Sequence, residues 1–132
     1  MQLALIIVLS LHILAGVFWA GTSFALARTG GLGAAQLFLP QMGAALVAVL
    51  AGAYLWSLLQ AAAFGRVEQV LAVGAGCAVV AAGVQGALCA PAVRALQTNT
   101  SDEARARIAL GQRIGAGLLA VTVICMAAPR YV

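Results

Sequence analysis

The sequence contains no lysine, a single histidine and only three acidic residues, and charged residues of every kind make up 8% of its 132 positions. Soluble domains are about a quarter charged. A water-facing surface for a chain of this length could not be covered with so few charges, so the solvent for most of it is expected to be lipid. The seven basic residues are all arginines, scattered between apolar runs. That pattern excludes a nucleic-acid surface, which needs a clustered basic stripe, and fits loops beside anionic headgroups. The acidic residues Glu68, Asp102 and Glu103 lie at connections or helix starts. No carboxylate pair is therefore available inside the apolar runs for acid–base work or ion coupling. The soluble-enzyme signatures G-x-S-x-G, phosphate loop and H-E-x-x-H are missing as well, which points away from an enzyme of those types. The three cysteines, Cys77, Cys89 and Cys125, form no C-x-x-C pair and sit inside apolar runs. Cys77 and Cys89 are separated by about 18 Å along a straight helix, too far to bridge, and read as buried thiols.

What is present is hydrophobic sequence, 64% of the chain, in four long runs. A spanning helix needs about 20 apolar residues and a membrane strand only about 10. The run lengths therefore predict an all-α, integral membrane, four-helix antiparallel bundle forming one transmembrane domain, with helices at about 3–27, 34–63, 68–96 and 101–128. The first run is too long for a signal-peptide core and no basic residue precedes it, although Ala25-Leu26-Ala27 has the form of a cleavage site. Arg-Thr-Gly-Gly-Leu-Gly at 28–33 predicts a turn. Pro40 falls early in the second run; Pro91 leaves open whether the third helix stops or continues. Thr100-Ser101-Asp102-Glu103 fits a capping box with Thr100 as N-cap and Glu103 reaching back.

Arginine placement predicts orientation. Arg28, Arg94, Arg105, Arg107 and Arg113 belong to the first and third connections, while Arg66 and Arg130 lie on the side of both termini. The positive-inside rule then places both termini outside, with Arg113 snorkelling to the headgroups. Small residues at helical spacing, Ala44/Ala48/Gly52, Ala82/Gly86/Ala90 and Gly111/Gly115, predict close helix packing, within the chain or in a homo-oligomer.

His12 lies deep in the first run. Intramembrane ionisable residues are costly and mark function; histidine ligates copper or haem iron or relays protons, and the alternative is a neutral ring hydrogen-bonded to another helix. The helical rise puts His12 and Cys77 about 13 Å, and Tyr54 and Thr122 about 12 Å, from the outer ends of their helices. Ser10 and Ser57 lie nearer that surface. His12, Tyr54 and Cys77 are the candidate cofactor-binding residues, expected to line one polar pocket opening outward, with His12 also the candidate metal ligand. A second polar set, Thr22, Gln41, Gln85 and Gln112, lies deeper and reads as interhelical glue. Met42 differs from His12 in depth by about 8 Å, which weakens a simple His/Met copper site. Phe18, Trp19, Tyr54 and Trp56 read as packing or interface anchors.

The first run reads Leu11-His12-Ile13-Leu14-Ala15-Gly16-Val17-Phe18-Trp19-Ala20-Gly21. It resembles the L-H-I-x-x-x-x-x-W-x-G opening of small bacterial membrane proteins related to copper-resistance protein D. Gly52-Ala53-Tyr54-Leu55 is similar to their G-x-Y-L segment, and Met126-Ala127-Ala128-Pro129-Arg130-Tyr131 is similar to their M-A-x-A-R-Y ending. The resemblance implies a four-helix protein of the bacterial inner membrane that handles copper. A more distant similarity of the His-bearing first helix to membrane protoporphyrinogen oxidase implies haem or porphyrin chemistry instead. His12 is the matching position in both. The chain departs from these patterns in having no second histidine and no Met-rich cluster. A bis-His haem would therefore draw His12 from two subunits or use another axial ligand. A non-catalytic membrane subunit, with His12 as glue, is the third reading.

Overall fold

The structure, a computed structural model, describes residues 1–59, 64–98 and 101–132. Four helices and a final turn make up the chain: α1 Gln2–Arg28, α2 Ala34–Leu59, α3 Arg66–Thr98, α4 Asp102–Ala127, and a 3-10 turn at Ala128–Arg130. All four helices are long and apolar enough to cross a membrane. The third is the longest at 33 residues, or about 50 Å, against a hydrocarbon core of about 30 Å. It continues through Pro91 to Thr98, so the proline does not end it.

The connections follow from local chemistry. Helix α1 ends in a left-handed cap in which Gly30 has φ 64° and the Gly31 amide donates 3.0 Å to the Leu26 carbonyl. This is the Schellman arrangement, which glycine adopts without a Cβ penalty. Gly31 must also stay bare, because a Cβ there would meet Ile108 of α4 at 3.1 Å. At the start of α3, Glu68 reaches back to the Gly65 amide at 2.8 Å. Helix α4 is capped by Ser101, whose hydroxyl accepts from the Ala104 amide at 3.3 Å. The predicted cap Thr100 lies outside the described residues. The expected return of Glu103 to the Thr100 amide lies outside them too; Glu103 pairs with Arg107 at 3.4 Å, and both are exposed, so this pair contributes little.

The helices form a closed ring in which each packs on its sequence neighbours and α4 returns to α1. Gly74 faces Thr122 and Cys125, Gln85 faces Gly115, and Cys89 faces Gly111, so the register of α3 and α4 is antiparallel along its full length. The same holds for α1 and α2, where His12 meets Gly52 and Ser23 meets Gln41. One end of the bundle, the terminal end, carries both termini and the α2–α3 connection; the other is the loop end.

Polarity is inverted relative to a water-soluble bundle. Leu14, Leu39 and Ile124 are 68%, 79% and 66% exposed, while Ser23, Gln41, Gln85 and Gln112 are completely buried. An apolar exterior around a polar core suits a lipid surround, in which polar side chains gain by facing one another. Four such helices with this inverted polarity are consistent with a multi-pass membrane protein.

Candidate functional site

Four helices contribute to one buried amide cluster at mid-bundle. Gln41 of α2 and Gln112 of α4 form a reciprocal amide pair, with N–H···O distances of 3.0 and 2.9 Å. Gln85 of α3 donates to Ser23 Oγ at 2.8 Å and to Gln112 Oε1 at 3.1 Å. Gln41 also donates to Ser23 Oγ at 3.0 Å, and Gln112 to Cys89 Sγ at 3.6 Å. The Trp19 indole N–H donates to Gln85 Oε1 at 2.7 Å. Ser23 and Cys89 pass their own hydrogens to the carbonyls of Trp19 and Ile108. Both amide hydrogens of each glutamine thus have an acceptor, with Ser23 Oγ and Gln112 Oε1 each accepting two, and no buried side-chain nitrogen or oxygen lacks a partner among the described residues. The cluster spans both diagonals of the ring, α1 to α3 and α2 to α4.

The expected glue set needs one correction. Thr22 is not part of it: its hydroxyl donates to the carbonyls of Phe18 and Trp19 in its own helix. Its neighbour Ser23, four residues beyond Trp19, points inward instead. Trp19 likewise serves as a hydrogen-bond donor at the bundle centre, beyond its packing role. The signal was available, because Trp19 and Ser23 share one helical face.

Nearer the terminal end, His12 Nδ1 lies 2.8 Å from the Ala48 carbonyl oxygen of α2. A carbonyl only accepts, so Nδ1 carries the hydrogen, and in the uncharged tautomer that follows Nε2 is the nitrogen with a lone pair. Gly52 makes room for the ring, since a Cβ there would lie 2.9 Å from His12 Cε1. His12 stands on the wall of a cavity of about 610 Å³ that all four helices line. Small residues create it: Gly16 and Ala20, Ala48 and Gly52, Ala75 and Ala78 face a space that larger side chains would fill. Trp19 and Leu119 lie on its wall at the level of the lower core, and Trp56, Thr122 and Met126 are its other functional groups. The Thr122 hydroxyl hydrogen is shared between the carbonyls of Gly74 and Leu118, at 3.0 Å each.

The expected convergence of His12, Tyr54 and Cys77 on one polar pocket does not occur. Tyr54 is 49% exposed and, like Cys77, is not among the residues lining the cavity. Tyr54 follows Gly52 by two positions, about 200° around the helix, so Gly52 facing α1 turns Tyr54 outward. Cys77 is one position, about 100°, from cavity-lining Ala78. The walls are consequently apolar rather than polar. Met42 packs beside the lower core, and Met126 is the methionine on the cavity wall. Among the described residues no group of three or more His, Cys, Asp or Glu side chains is arranged to hold a metal ion.

No known protein family, curated protein or solved structure matches this chain.

Proposed function

We propose that this protein binds a flat, membrane-soluble ligand of the haem or porphyrin class in the cavity between its helices, with His12 Nε2 as the one ligating atom from the protein. The observation that carries this reading is the His12 ring itself: Nδ1 is committed to the Ala48 carbonyl on the wall of an apolar cavity of about 610 Å³. Metal-ligating histidines characteristically donate their second ring nitrogen to a carbonyl or carboxylate, which fixes tautomer and orientation. Ligand cavities run about 300–1,000 Å³ and are lined mainly by apolar groups with a few polar ones. Helical bundles hold cofactors between side chains of facing helices. A haem iron takes one proximal histidine and leaves the macrocycle to apolar walls, so the donor set fits. When bound, such a group would supply one-electron chemistry, and the protein would supply the axial nitrogen and the exclusion of water.

Copper handling is the second reading, favoured by the presence of both His12 and Met126 on the cavity wall, since imidazole and thioether suit Cu(I). A structural subunit with His12 as glue is the third. For each, the proposed setting is the bacterial inner membrane with both termini outside. Cysteine-accessibility labelling should then find Cys residues introduced at Gln2 and Val132 reactive in intact cells, and one introduced at Thr29 reactive only after lysis. The reverse pattern would invert the topology.

The deciding measurement is titration of purified, detergent-solubilised protein with haemin and, separately, with Cu(I), wild type beside His12→Ala. A stoichiometric Soret shift that His12→Ala weakens at least tenfold is expected. Tight Cu(I) binding without a Soret shift would replace haem with copper. A folded protein indifferent to both would leave the structural reading.

A further inference from the structure

At the level of His12 the close approaches run within each helical hairpin. Helix α1 meets α2 through His12, Ala48 and Gly52, and α3 meets α4 where Gly74 lies against Thr122 and Cys125. The hairpins join one another lower down, through Trp19, Ala81 and Leu119 and then the amide cluster. Above that junction the two hairpins face one another across the cavity, a cleft that all four helices line. Below it lies the amide cluster, whose buried polar side-chain nitrogens and oxygens all have partners. The sides of the cleft are not closed. The lining residues Ile13, Val17, Val79 and Val123 are each more than half exposed, an exposure shared between the cleft and the surface around it, which in a membrane protein faces hydrocarbon.

We propose that this cleft is a binding site for an aliphatic chain drawn sideways from the bilayer, and that any ligand of His12 enters by the same lateral route. The chemistry of the walls selects the occupant. Water needs two to four polar partners to settle in a cavity, and the walls offer few. The Thr122 hydrogen is spent on Gly74 and Leu118, and Nδ1 of His12 on Ala48. A methylene chain matches the walls in polarity. The inference rests on the cavity alone, and the chain fills the cleft when no haem occupies it.

The protein has two tryptophans, Trp19 and Trp56, and both line the cleft. In a Trp56→Phe background Trp19 is the sole fluorophore, and only 2% of its surface is exposed. Haem-free protein is reconstituted into vesicles of phospholipid brominated on the acyl chains, beside unbrominated controls. Strong quenching of Trp19 is expected. Gly16→Leu and Ala53→Leu fill the cleft from two different helices, and Gly16 has nothing within 4 Å of an added Cβ. Each is expected to reduce the quenching at least twofold while leaving the far-UV circular dichroism unchanged. Quenching equal in the open and filled proteins would assign it to lipid around the bundle and overturn the proposal, as would its absence in the open protein. Haem titration of the same samples is read separately, so loss of haem binding leaves this result intact.

Discussion

Gln112→Leu should be the most destabilising single substitution in the amide cluster, by about 2–4 kcal/mol. The side chain it removes accepts from Gln41 and Gln85 and donates to Gln41 and Cys89. Leucine has nearly the same volume, so the cost is not a cavity. It comes from two amide hydrogens and a carbonyl oxygen left without partners in a region with no water access. A buried unsatisfied group costs about 1–3 kcal/mol. Interhelical hydrogen bonds in membranes average only about 0.6 kcal/mol, because the separated helices also find partners, and this holds the total below a simple sum. The triple variant Gln41→Leu, Gln85→Leu, Gln112→Leu should cost less than the sum of its three single substitutions, since apolar groups replace both sides of the three glutamine–glutamine bonds. Unfolding in mixed micelles by a denaturing detergent measures the wild type, the three single variants and the triple. Fully additive single-variant losses would show that the amides act independently and that the cluster is not a unit.

The second large effect concerns glycine spacing. Gly115→Ala should cost about 1–3 kcal/mol, whereas Gly117→Ala, two residues on, should be neutral or stabilising by about 0.5–1 kcal/mol. A Cβ at Gly115 would overlap the Gln85 side chain, reaching its Cδ at 2.8 Å, while one at Gly117 meets nothing within 4 Å. Overpacking a filled interface costs about 1–3 kcal/mol, and in open helix the exchange of glycine for alanine recovers backbone entropy. Gly111 belongs with Gly115, because its Cβ would lie 2.8 Å from Cys89 Sγ. Gly86 belongs with Gly117, as it too has open space. Thermal unfolding of the purified variants tests the contrast. Equal effects at 115 and 117 would mean that helix propensity, not helix contact, decides.

These two sets of residues show what the sequence could and could not reveal. Helix number, order and depth were legible because run length and a fixed rise per residue determine them. Gln41, Gln85 and Gln112 were placed correctly at one level by that arithmetic. Rotation about each axis was not legible. In a soluble helix the apolar stripe marks the inner face, but here both surroundings of a helix are apolar and the stripe vanishes. Depth alone therefore points to Thr22, which bonds within its own helix, and puts Tyr54 level with a cavity that it does not line. The spacing-four reading worked for Gly52, Gly111 and Gly115, which face other helices, and not for Gly86, because a small residue permits contact without requiring it. Pro91 left the end of α3 undecided on local grounds. The His12 position carried the family resemblance, but its bond to Ala48 could not be seen without the register of α1 against α2.

The amide cluster also bears on biogenesis. Helices leave the insertion machinery in chain order, and an amide released alone into hydrocarbon has no water to turn to. Each hairpin already contains a native partner for its own glutamines. Gln41 meets Ser23 across the five-residue α1–α2 connection, and Gln85 meets Gln112, which in turn meets Cys89, across the α3–α4 connection. Each half of the protein therefore emerges with part of its polar load paired. Only the bonds from Trp19 to Gln85, between Gln85 and Ser23, and between Gln41 and Gln112 wait for the halves to dock. The late bonds are the ones that identify the correct partner, so a half-protein should insert stably yet remain adhesive toward its missing mate, and co-expressed halves should reassemble in the membrane.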